Sequence, residues 1–279
     1  IVEFLNVIDP LTNPEAHGGK AEDAFHVVCP SLPGYGFSGT TQREQVDTLA
    51  MAEMFAELMA RLGYEKYIAQ GGDWGAIITS NLAIVDADHL YGIHLNMPFG
   101  YALTEDPHEG LSPQEIEDVN AMSSFEAMET GYQKIQGTKP QTLGVGLNDS
   151  PAGLCAWITE KFYTWMDCDG DIESVLDKDE LLTNISVYWF TQSICSSTRL
   201  YYEVTQNARL KFLEQPVTVP LGVARYPKEV MRFPRQWCEN VYTQIVHWQD
   251  FDRGGHFAAM ERPAEFLAEI RKFRALVCD

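Results

Sequence analysis

The chain has 279 residues, of which 45% are hydrophobic, and its formal net charge is −20. This composition supplies enough apolar surface for one large core or two small ones, and it excludes a disordered or low-complexity protein. The acidic charge excludes nucleic acid and anionic membranes as partners, because their phosphate groups would repel the chain.

The cysteines indicate the cellular compartment. Six of them are scattered along the chain, with no CxxC pair and no spacing typical of a metal site. Such cysteines are typical of reduced thiols. No apolar run of about 18 residues and no signal peptide are present, so we expect a cytoplasmic protein. No cofactor or metal is expected either, since the acidic stretch 167–178 has Ile172 and Lys178 where a calcium loop needs Gly and Glu.

The first hundred residues are predicted to alternate between helices and strands. After the helix-like pattern IVEFLNVI, a strand is expected at residues 24–32 (AFHVVCPSL), followed by the turn-rich PGYGFSG. Asp47 or Thr48 can cap a helix that ends at Gly63. A strand at 67–69, a helix in AIITSNLAIV and a strand in YGIHLNM follow. This order implies a parallel sheet covered by helices.

The strand pattern disappears between residues 101 and 205. The stretches LSPQEIEDVNAMSSFEAMETGYQKIQ and GLCAWITEKFYTWM are amphipathic and aromatic, which indicates helices. Strands return in VTVPLGVA and VYTQIVHW, and a last helix is expected at 264–277. We therefore predict an α/β core formed by residues 1–100 and 206–279, with a helical lid inserted at 101–205.

An aspartate lies in the turn between the strand at 67–69 and the next helix, in the sequence QGGDWGAI. By itself this stretch favours a plain structural turn, since Gly and Asp both tolerate positive φ. In its context, small-x-Asp73-x-small is typical of a nucleophile elbow, where close packing is expected to require Gly71 and Gly75. The N–H of Trp74 would then point at the reaction centre. A carboxylate in this position needs no base, and attacks an alkyl carbon to give an ester.

Two further side chains would complete a catalytic site. His256 lies in the glycine-rich RGGHFAAME after the last predicted strand, at the edge where open α/β sheets have their catalytic loops. Its carboxylate partner is expected after VTVPLGVA, where Glu229 in RYPKEV is favoured. Asp250 and Asp252 are the alternatives, on the loop that precedes the histidine. The order nucleophile, acid, histidine is that of the α/β-hydrolases.

Several motifs together resemble one family. PSLPGYGFSG, GGDWG, ETGYQKIQGTKPQTLGVGLNDSPAGL, YPKE and GGHFAAMERP are similar to the epoxide hydrolases of the α/β-hydrolase superfamily, in the branch of the microsomal enzyme and its soluble fungal relatives. The similarity runs from Ile1 to the C-terminus. The lid stretch at 129–154 is more specific to this branch than the elbow and histidine motifs.

The resemblance implies an α/β-hydrolase fold and a two-step reaction. Asp73 would attack an epoxide carbon while two lid tyrosines, Tyr132 and Tyr201, donate hydrogen bonds to the epoxide oxygen. Tyr202 is the alternative to Tyr201 if the register differs by one residue. A water activated by His256, with Glu229 supporting the imidazolium, would then hydrolyse the ester. The N–H of Trp74 would stabilise the oxyanion of this second step. The partners implied are a small apolar epoxide and water, and a homodimer is left open.

The start of the sequence also bears on these expectations. The chain begins at Ile1 inside a helix-like pattern, so we expect an N-terminally truncated fragment. The family has a His-Gly-x-Pro motif just upstream of the segment that aligns with residues 1–3, and this motif supplies a second oxyanion N–H. First core strands and any membrane anchor would lie in that upstream part. A fragment without them is expected to be inactive, or to trap substrate as an ester on Asp73.

Other functions compete with this interpretation. A haloalkane or haloacid dehalogenase also uses an elbow aspartate and a histidine, but holds a halide with Trp and Asn N–H donors. A catalytically impaired hydrolase that serves as a scaffold would have a broken triad, whereas Asp73, Glu229 and His256 are all present. A serine esterase is disfavoured because an aspartate occupies the nucleophile position.

Overall fold

The structure, a computed structural model, describes residues 1–207 and 215–278. In these residues four parallel strands form one sheet with the order β1-β2-β3-β4. The strands are β1 (Tyr67–Gly71), β2 (Leu90–Leu95), β3 (Leu221–Arg225) and β4 (Ile245–Asp250). The predicted class, a parallel sheet flanked by helices, is therefore confirmed.

The described residues also form thirteen α-helices. These are α1 (Leu5–Thr12), α2 (Thr48–Arg61), α3 (Trp74–Val85), α4 (Pro113–Met128), α5 (Gly131–Thr138), α6 (Pro140–Asp149), α7 (Pro151–Trp165), α8 (Lys178–Thr191), α9 (Ile194–Ser197), α10 (Arg199–Asn207), α11 (Arg235–Cys238), α12 (Ala258–Glu261) and α13 (Pro263–Val277). In the described part of the chain, none of the helices has the length and hydropathy needed to cross a bilayer.

Local sequence signals explain the helices that support the sheet. Helix α2 begins after Asp47, whose carboxylate accepts a hydrogen bond of 2.9 Å from the N–H of Ala50. Of the two expected caps, Asp47 is therefore the one used. Gly63 follows the end of α2 with φ = 85°, the left-handed conformation that terminates helices. Helix α3 runs directly out of the turn after β1, and most of its side chains are buried against the sheet.

The core lies on both faces of the sheet. All five residues of β3 are buried, and the interior of β2 is almost inaccessible, as expected for strands of a parallel sheet covered on both sides. One large apolar cluster joins α2, α3 and the strands, and a second one joins α1, α12 and α13. All four strands run in one direction, so their carboxyl ends lie at the same edge.

Two strand predictions need correction. Residues 24–32 are in no strand and form no ladder with any described residue, so the predicted strand is wrong. A strand requires a hydrogen-bonded neighbour, and a short apolar run alone does not supply one. The strand predicted in VTVPLGVA begins only at Leu221, with an isolated bridge at Val217. Pro220 interrupts it, because proline has no N–H to donate.

The described residues between β2 and β3 contain α4 to α10 and no strand. This observation supports the helical lid, while its boundaries at 101 and 205 stay a prediction. Residues 208–214, within the predicted second core segment, lie outside the described residues.

Candidate active site

The turn between β1 and α3 holds Asp73 in a strained conformation. Its φ of 49° and ψ of −130° are uncommon for a residue with a side chain. The strain points the carboxylate at the sheet edge, where the N–H of Trp74 donates a 2.6 Å hydrogen bond to Oδ1. Such a turn exposes a side chain and places the next backbone N–H beside it, as in a nucleophile elbow.

The two glycines of the elbow differ in the space around them. A Cβ added at Gly71 would lie 2.2 Å from the carbonyl oxygen of Gly75, which is a backbone clash. A Cβ added at Gly75 would meet nothing within 4 Å. The expectation that close packing requires both glycines is therefore right for Gly71 and wrong for Gly75. The contact between strand and helix is made by the Gly75 carbonyl, so only the residue facing that carbonyl has to be small.

The structure brings Asp73, Glu229 and His256 together. His256 Nε2 lies 3.1 Å from Asp73 Oδ2, and Nδ1 lies 2.6 Å from Glu229 Oε1, so the imidazole bridges the two carboxylates. The side chains of Glu229 and His256 are 1% and 5% exposed, whereas that of Asp73 is 40% exposed. The arrangement therefore has one accessible carboxylate supported by a buried His–Glu pair. The roles assigned to these residues stay a prediction.

The electrostatics of the site follow from this geometry. Desolvation would raise the pKa of Asp73, but the hydrogen bond and charge of His256 and the N–H of Trp74 hold this pKa below its usual value. Burial would lower the pKa of His256, yet the charge of Glu229 and the hydrogen bonds to both carboxylates raise it well above the usual value. The two carboxylates thus favour the charged form of the imidazole, and the imidazole and the Trp74 N–H favour the charged form of Asp73.

The two alternative acids lie elsewhere. Asp250 is the last residue of β4, and its carboxylate lies 3.5 Å from Arg225 and 3.6 Å from Arg232. Asp252 is exposed in the loop that follows. His256 forms ion pairs with Glu229 and Asp73, so the geometry supports Glu229 as its acidic partner.

Both predicted lid tyrosines lie over the elbow. Tyr132 on α5 and Tyr201 on α10 meet edge to face with ring centroids 5.8 Å apart, and Tyr201 also contacts the Trp74 ring at 4.9 Å. Burial raises the pKa of both phenols, and the negative charge of Asp73 raises it further. Both hydroxyls are therefore protonated donors within electrostatic reach of the carboxylate.

Tyr202, the alternative to Tyr201, lies in different surroundings. It is 38% exposed and lines a cleft of about 670 Å³ together with Arg199 and Glu203. Asp73 and His256 do not border this cleft. The structure therefore favours Tyr201 as the residue near the elbow.

Three residues near Asp73 were not anticipated from the sequence. Burial and the charge of Asp73 raise the pKa of Tyr188 to about 12, and the pKa of Tyr35 is raised well above its usual value for related reasons. Burial also raises the pKa of Glu3 to about 7. The charge of His256 lowers this pKa and that of Asp73 raises it, so Glu3 lies within electrostatic reach of both. No local pattern marks these side chains. Tyr35 lies in PGYGFSG, where only a turn was expected.

The lid also holds the loop of His256. The N–H of His256 donates to the carbonyl of Trp165 at 2.9 Å, and the Trp165 ring lies 5.1 Å from the imidazole. Asp167 Oδ2 accepts hydrogen bonds from the N–H of Gly254 at 2.9 Å and from Nε of Arg253 at 2.7 Å. The same Trp165 ring lies 5.4 Å from Tyr132. One lid segment thus contacts both the imidazole and a phenol.

Comparisons with known proteins agree with the fold. The family model of the alpha/beta hydrolase fold matches residues 17–140. A "Putative epoxide hydrolase" of Stigmatella aurantiaca is 47% identical over 99% of this chain and 62% of its own length. "Epoxide hydrolase 1" of Oryctolagus cuniculus is 39% identical over 99% of this chain and 65% of its own length.

A solved structure agrees as well. The crystal structure of juvenile hormone epoxide hydrolase from the silkworm Bombyx mori has a TM-score of 0.88 and 36% identity, and the match covers 99% of this chain and 70% of that one. This chain belongs to the epoxide hydrolase family of the α/β-hydrolase superfamily. It spans less than two thirds of the length of the two curated relatives, 62% and 65%.

Proposed function

We propose that this protein converts small apolar epoxides to vicinal diols through an ester on Asp73. The observation on which the proposal rests is the pair of phenols, Tyr132 and Tyr201, above an accessible carboxylate. Opening an epoxide places negative charge on its oxygen, so two protonated donors aimed at that oxygen lower the barrier. Family membership supports the same reaction.

In this proposal the two oxygens of Asp73 have different roles. Oδ1 accepts the hydrogen bond from Trp74, while Oδ2 faces His256. In the first step Oδ2 forms a bond to a ring carbon, the C–O bond of the epoxide breaks, and a phenol protonates the alkoxide. Oδ1 becomes the ester carbonyl oxygen and already has its N–H donor. That donor stabilises the oxyanion when water attacks the ester in the second step.

Ester formation changes the charge around His256. The charge of Asp73 and its hydrogen bond are two causes of the raised pKa of His256. Both are lost when Asp73 becomes a neutral ester, so the pKa of the imidazole falls and the ring releases its proton to solvent. The phenolate formed in the first step regains a proton from solvent. The neutral imidazole then takes a proton from water, and Glu229 stabilises the imidazolium that forms. Hydrolysis releases the diol and restores the Asp73 carboxylate.

The dehalogenase alternative requires N–H donors for a halide in place of phenols. Trp74 fits either reaction, but its ring packs edge to face against Tyr201. The epoxide hydrolases among the relatives also do not favour the alternative. A direct test is to incubate the protein with a styrene-type epoxide and with a chloroalkane of equal size. We expect diol and no chloride, whereas chloride release without diol formation would overturn the proposal.

The phenols provide a sharper test. Tyr132→Phe and Tyr201→Phe should each slow ester formation about 10²-fold in single-turnover experiments, with little change in substrate binding. Tyr202→Phe is the matched control, because Tyr202 lines the separate cleft. Unchanged ester formation in both site variants would contradict the assigned roles. Loss of activity in the Tyr202 variant alone would identify Tyr202, in place of Tyr201, as the second donor.

The cellular location, the oligomeric state and the partners are also part of the proposal. The scatter of the six cysteines along the sequence, with no CxxC pair, supports a cytoplasmic location. The homodimer is a further proposal, and sedimentation of the purified protein would test it. The epoxide and water are the partners proposed for the site, and the net charge of −20 disfavours nucleic acid.

A further inference from the structure

A partly buried lysine side chain lies against one of the two phenols. The Nζ atom of Lys161, on α7, is 4.6 Å from the centroid of the Tyr132 ring and 5.5 Å from that of Trp165. The Lys161 side chain is only 14% exposed. Its counter-ion Glu160 has a side chain that is 60% exposed, with Oε1 2.5 Å from Nζ. The positive charge therefore lies close to the face of the Tyr132 ring.

A second donor acts on the hydroxyl of the same tyrosine. Nε2 of Gln133 donates a hydrogen bond of 2.9 Å to the Tyr132 hydroxyl oxygen, which leaves the phenolic proton free to be given to another group. Burial and the charge of Asp73 raise the pKa of Tyr132, whereas the bond from Gln133 lowers it. Both the ammonium and the amide thus favour negative charge on this phenol.

Tyr201 has different neighbours. The Trp74 side chain donates a hydrogen bond to its hydroxyl, as Gln133 does to Tyr132, so the amide alone does not distinguish the phenols. The difference is the cation: the cation–π contacts among the described residues place no ammonium or guanidinium over the Tyr201 ring. A cation over an aromatic face stabilises it more strongly as the ring gains negative charge, and more strongly when water is excluded. The two phenols are therefore unequal as acids.

We propose that Lys161 is a positioning residue that makes Tyr132, and not Tyr201, the phenol that protonates the opening epoxide. This inference rests on the proposed function. As Asp73 Oδ2 bonds to the ring carbon and the C–O bond breaks, the proton of Tyr132 moves to the alkoxide oxygen. The resulting phenolate is stabilised by Lys161 and Gln133 until solvent returns a proton to it. Tyr201 donates a hydrogen bond to the same oxygen but keeps its proton.

The test separates the two steps of the reaction. Lys161→Met keeps a long side chain but removes the charge, and should slow single-turnover ester formation about tenfold, leaving ester hydrolysis unchanged. Lys161→Arg should retain most of the rate. Lys66→Met is the matched control, since Lys66 Nζ lies 5.4 Å from the ring centroid of Tyr91, outside the site. Equal slowing of both steps by Lys161→Met would overturn the inference.

A double-mutant cycle tests whether the effect passes through Tyr132. Lys161→Met should cause no further loss in the Tyr132→Phe background, but should keep its full effect in the Tyr201→Phe background. The reverse pattern, or equal losses in both, would contradict the proposal.

Two controls keep the result interpretable. Glu160→Gln, at an exposed position, removes the counter-ion and should leave ester formation at least as fast as in the unmodified protein. A tenfold loss there would count against Lys161 even if Lys161→Met did not fold. If the unmodified protein forms neither ester nor diol from an epoxide, the proposed function fails, and the inference fails with it for that separate reason.

Discussion

The peptide N–H of His256 donates a 2.9 Å hydrogen bond to the carbonyl oxygen of Trp165. This bond joins the loop after β4 to the C-terminal end of α7, so the imidazole is held by the lid as well as by the core. Asp167 strengthens the junction through Gly254 and Arg253. The position of the base therefore depends on lid residues that lie about ninety positions earlier in the chain.

Replacing Asp167 with Asn should weaken this junction in a pH-dependent way. Desolvation would raise the pKa of Asp167, but the hydrogen bond from Gly254 and the Arg253 guanidinium hold it below its usual value. A carboxyl with a depressed pKa stabilises the fold above its unfolded pKa, and this contribution is lost as the pH falls through the folded pKa. Asp167→Asn should therefore lower the free energy of unfolding by about 1–3 kcal/mol at neutral pH.

Urea unfolding at neutral pH and below pH 3.8, the ordinary value for this carboxyl, measures the difference. The difference in free energy of unfolding between the unmodified protein and Asp167→Asn should be smaller at the lower pH. Asp169→Asn, two residues away and exposed, is the control and should have little effect at either pH. A gap of equal size at both pH values would show that the charge of Asp167 does not stabilise the junction.

Glu229→Gln should block the second chemical step. The charge of Glu229 raises the pKa of His256, so its removal lowers this pKa and leaves the imidazolium formed during hydrolysis without support. We expect ester hydrolysis to slow about 10²-fold or more, while ester formation changes much less. The ester on Asp73 should accumulate. Intact-protein mass spectrometry should then show the protein heavier by the mass of one substrate molecule.

The pH profile checks the sign of this effect. A base acts in its neutral form, so hydrolysis should increase as the pH rises through the pKa of His256 in the ester. The midpoint should lie at lower pH in Glu229→Gln than in the unmodified protein. An unchanged midpoint together with unchanged hydrolysis would show that Glu229 does not act through His256.

Much of the architecture could be predicted from the sequence because it depends on local signals. The cap at Asp47, the glycine that ends α2 and the 3.6-residue periodicity of α13 act within a few residues. Asp73 and His256 could be found for the same reason, since each lies in a short motif that follows a strand. Parallel strands then bring their following loops to one sheet edge.

The remaining features depend on contacts between distant segments. Residues 24–32 form a short apolar run suited to a strand, but only a paired neighbour would make them one. The contact of Lys161 with Tyr132 joins α7 to α5, and the proximity of Glu3 to His256 joins the two ends of the chain. Neither has a pattern within one segment, so neither could be expected without the fold.

The elbow glycines supply a last prediction, in which the two positions serve as controls for each other. A methyl group at Gly71 would lie 2.2 Å from the carbonyl oxygen and 2.4 Å from the carbonyl carbon of Gly75, and a backbone cannot yield as a flexible side chain does. Gly71→Ala should therefore lower the free energy of unfolding by about 3 kcal/mol, because β1 and α3 must separate. A methyl group at Gly75 meets nothing within 4 Å.

Gly75→Ala should accordingly leave stability unchanged or raise it by about 0.5–1 kcal/mol, since alanine restricts the unfolded chain more than glycine does. Urea unfolding of the two variants beside the unmodified protein measures both effects. If Gly75→Ala lowers the free energy of unfolding as much as Gly71→Ala does, the elbow is closely packed around Gly75 as well. If neither variant loses stability, the close approach of the Gly75 carbonyl to β1 is not what requires a glycine at position 71.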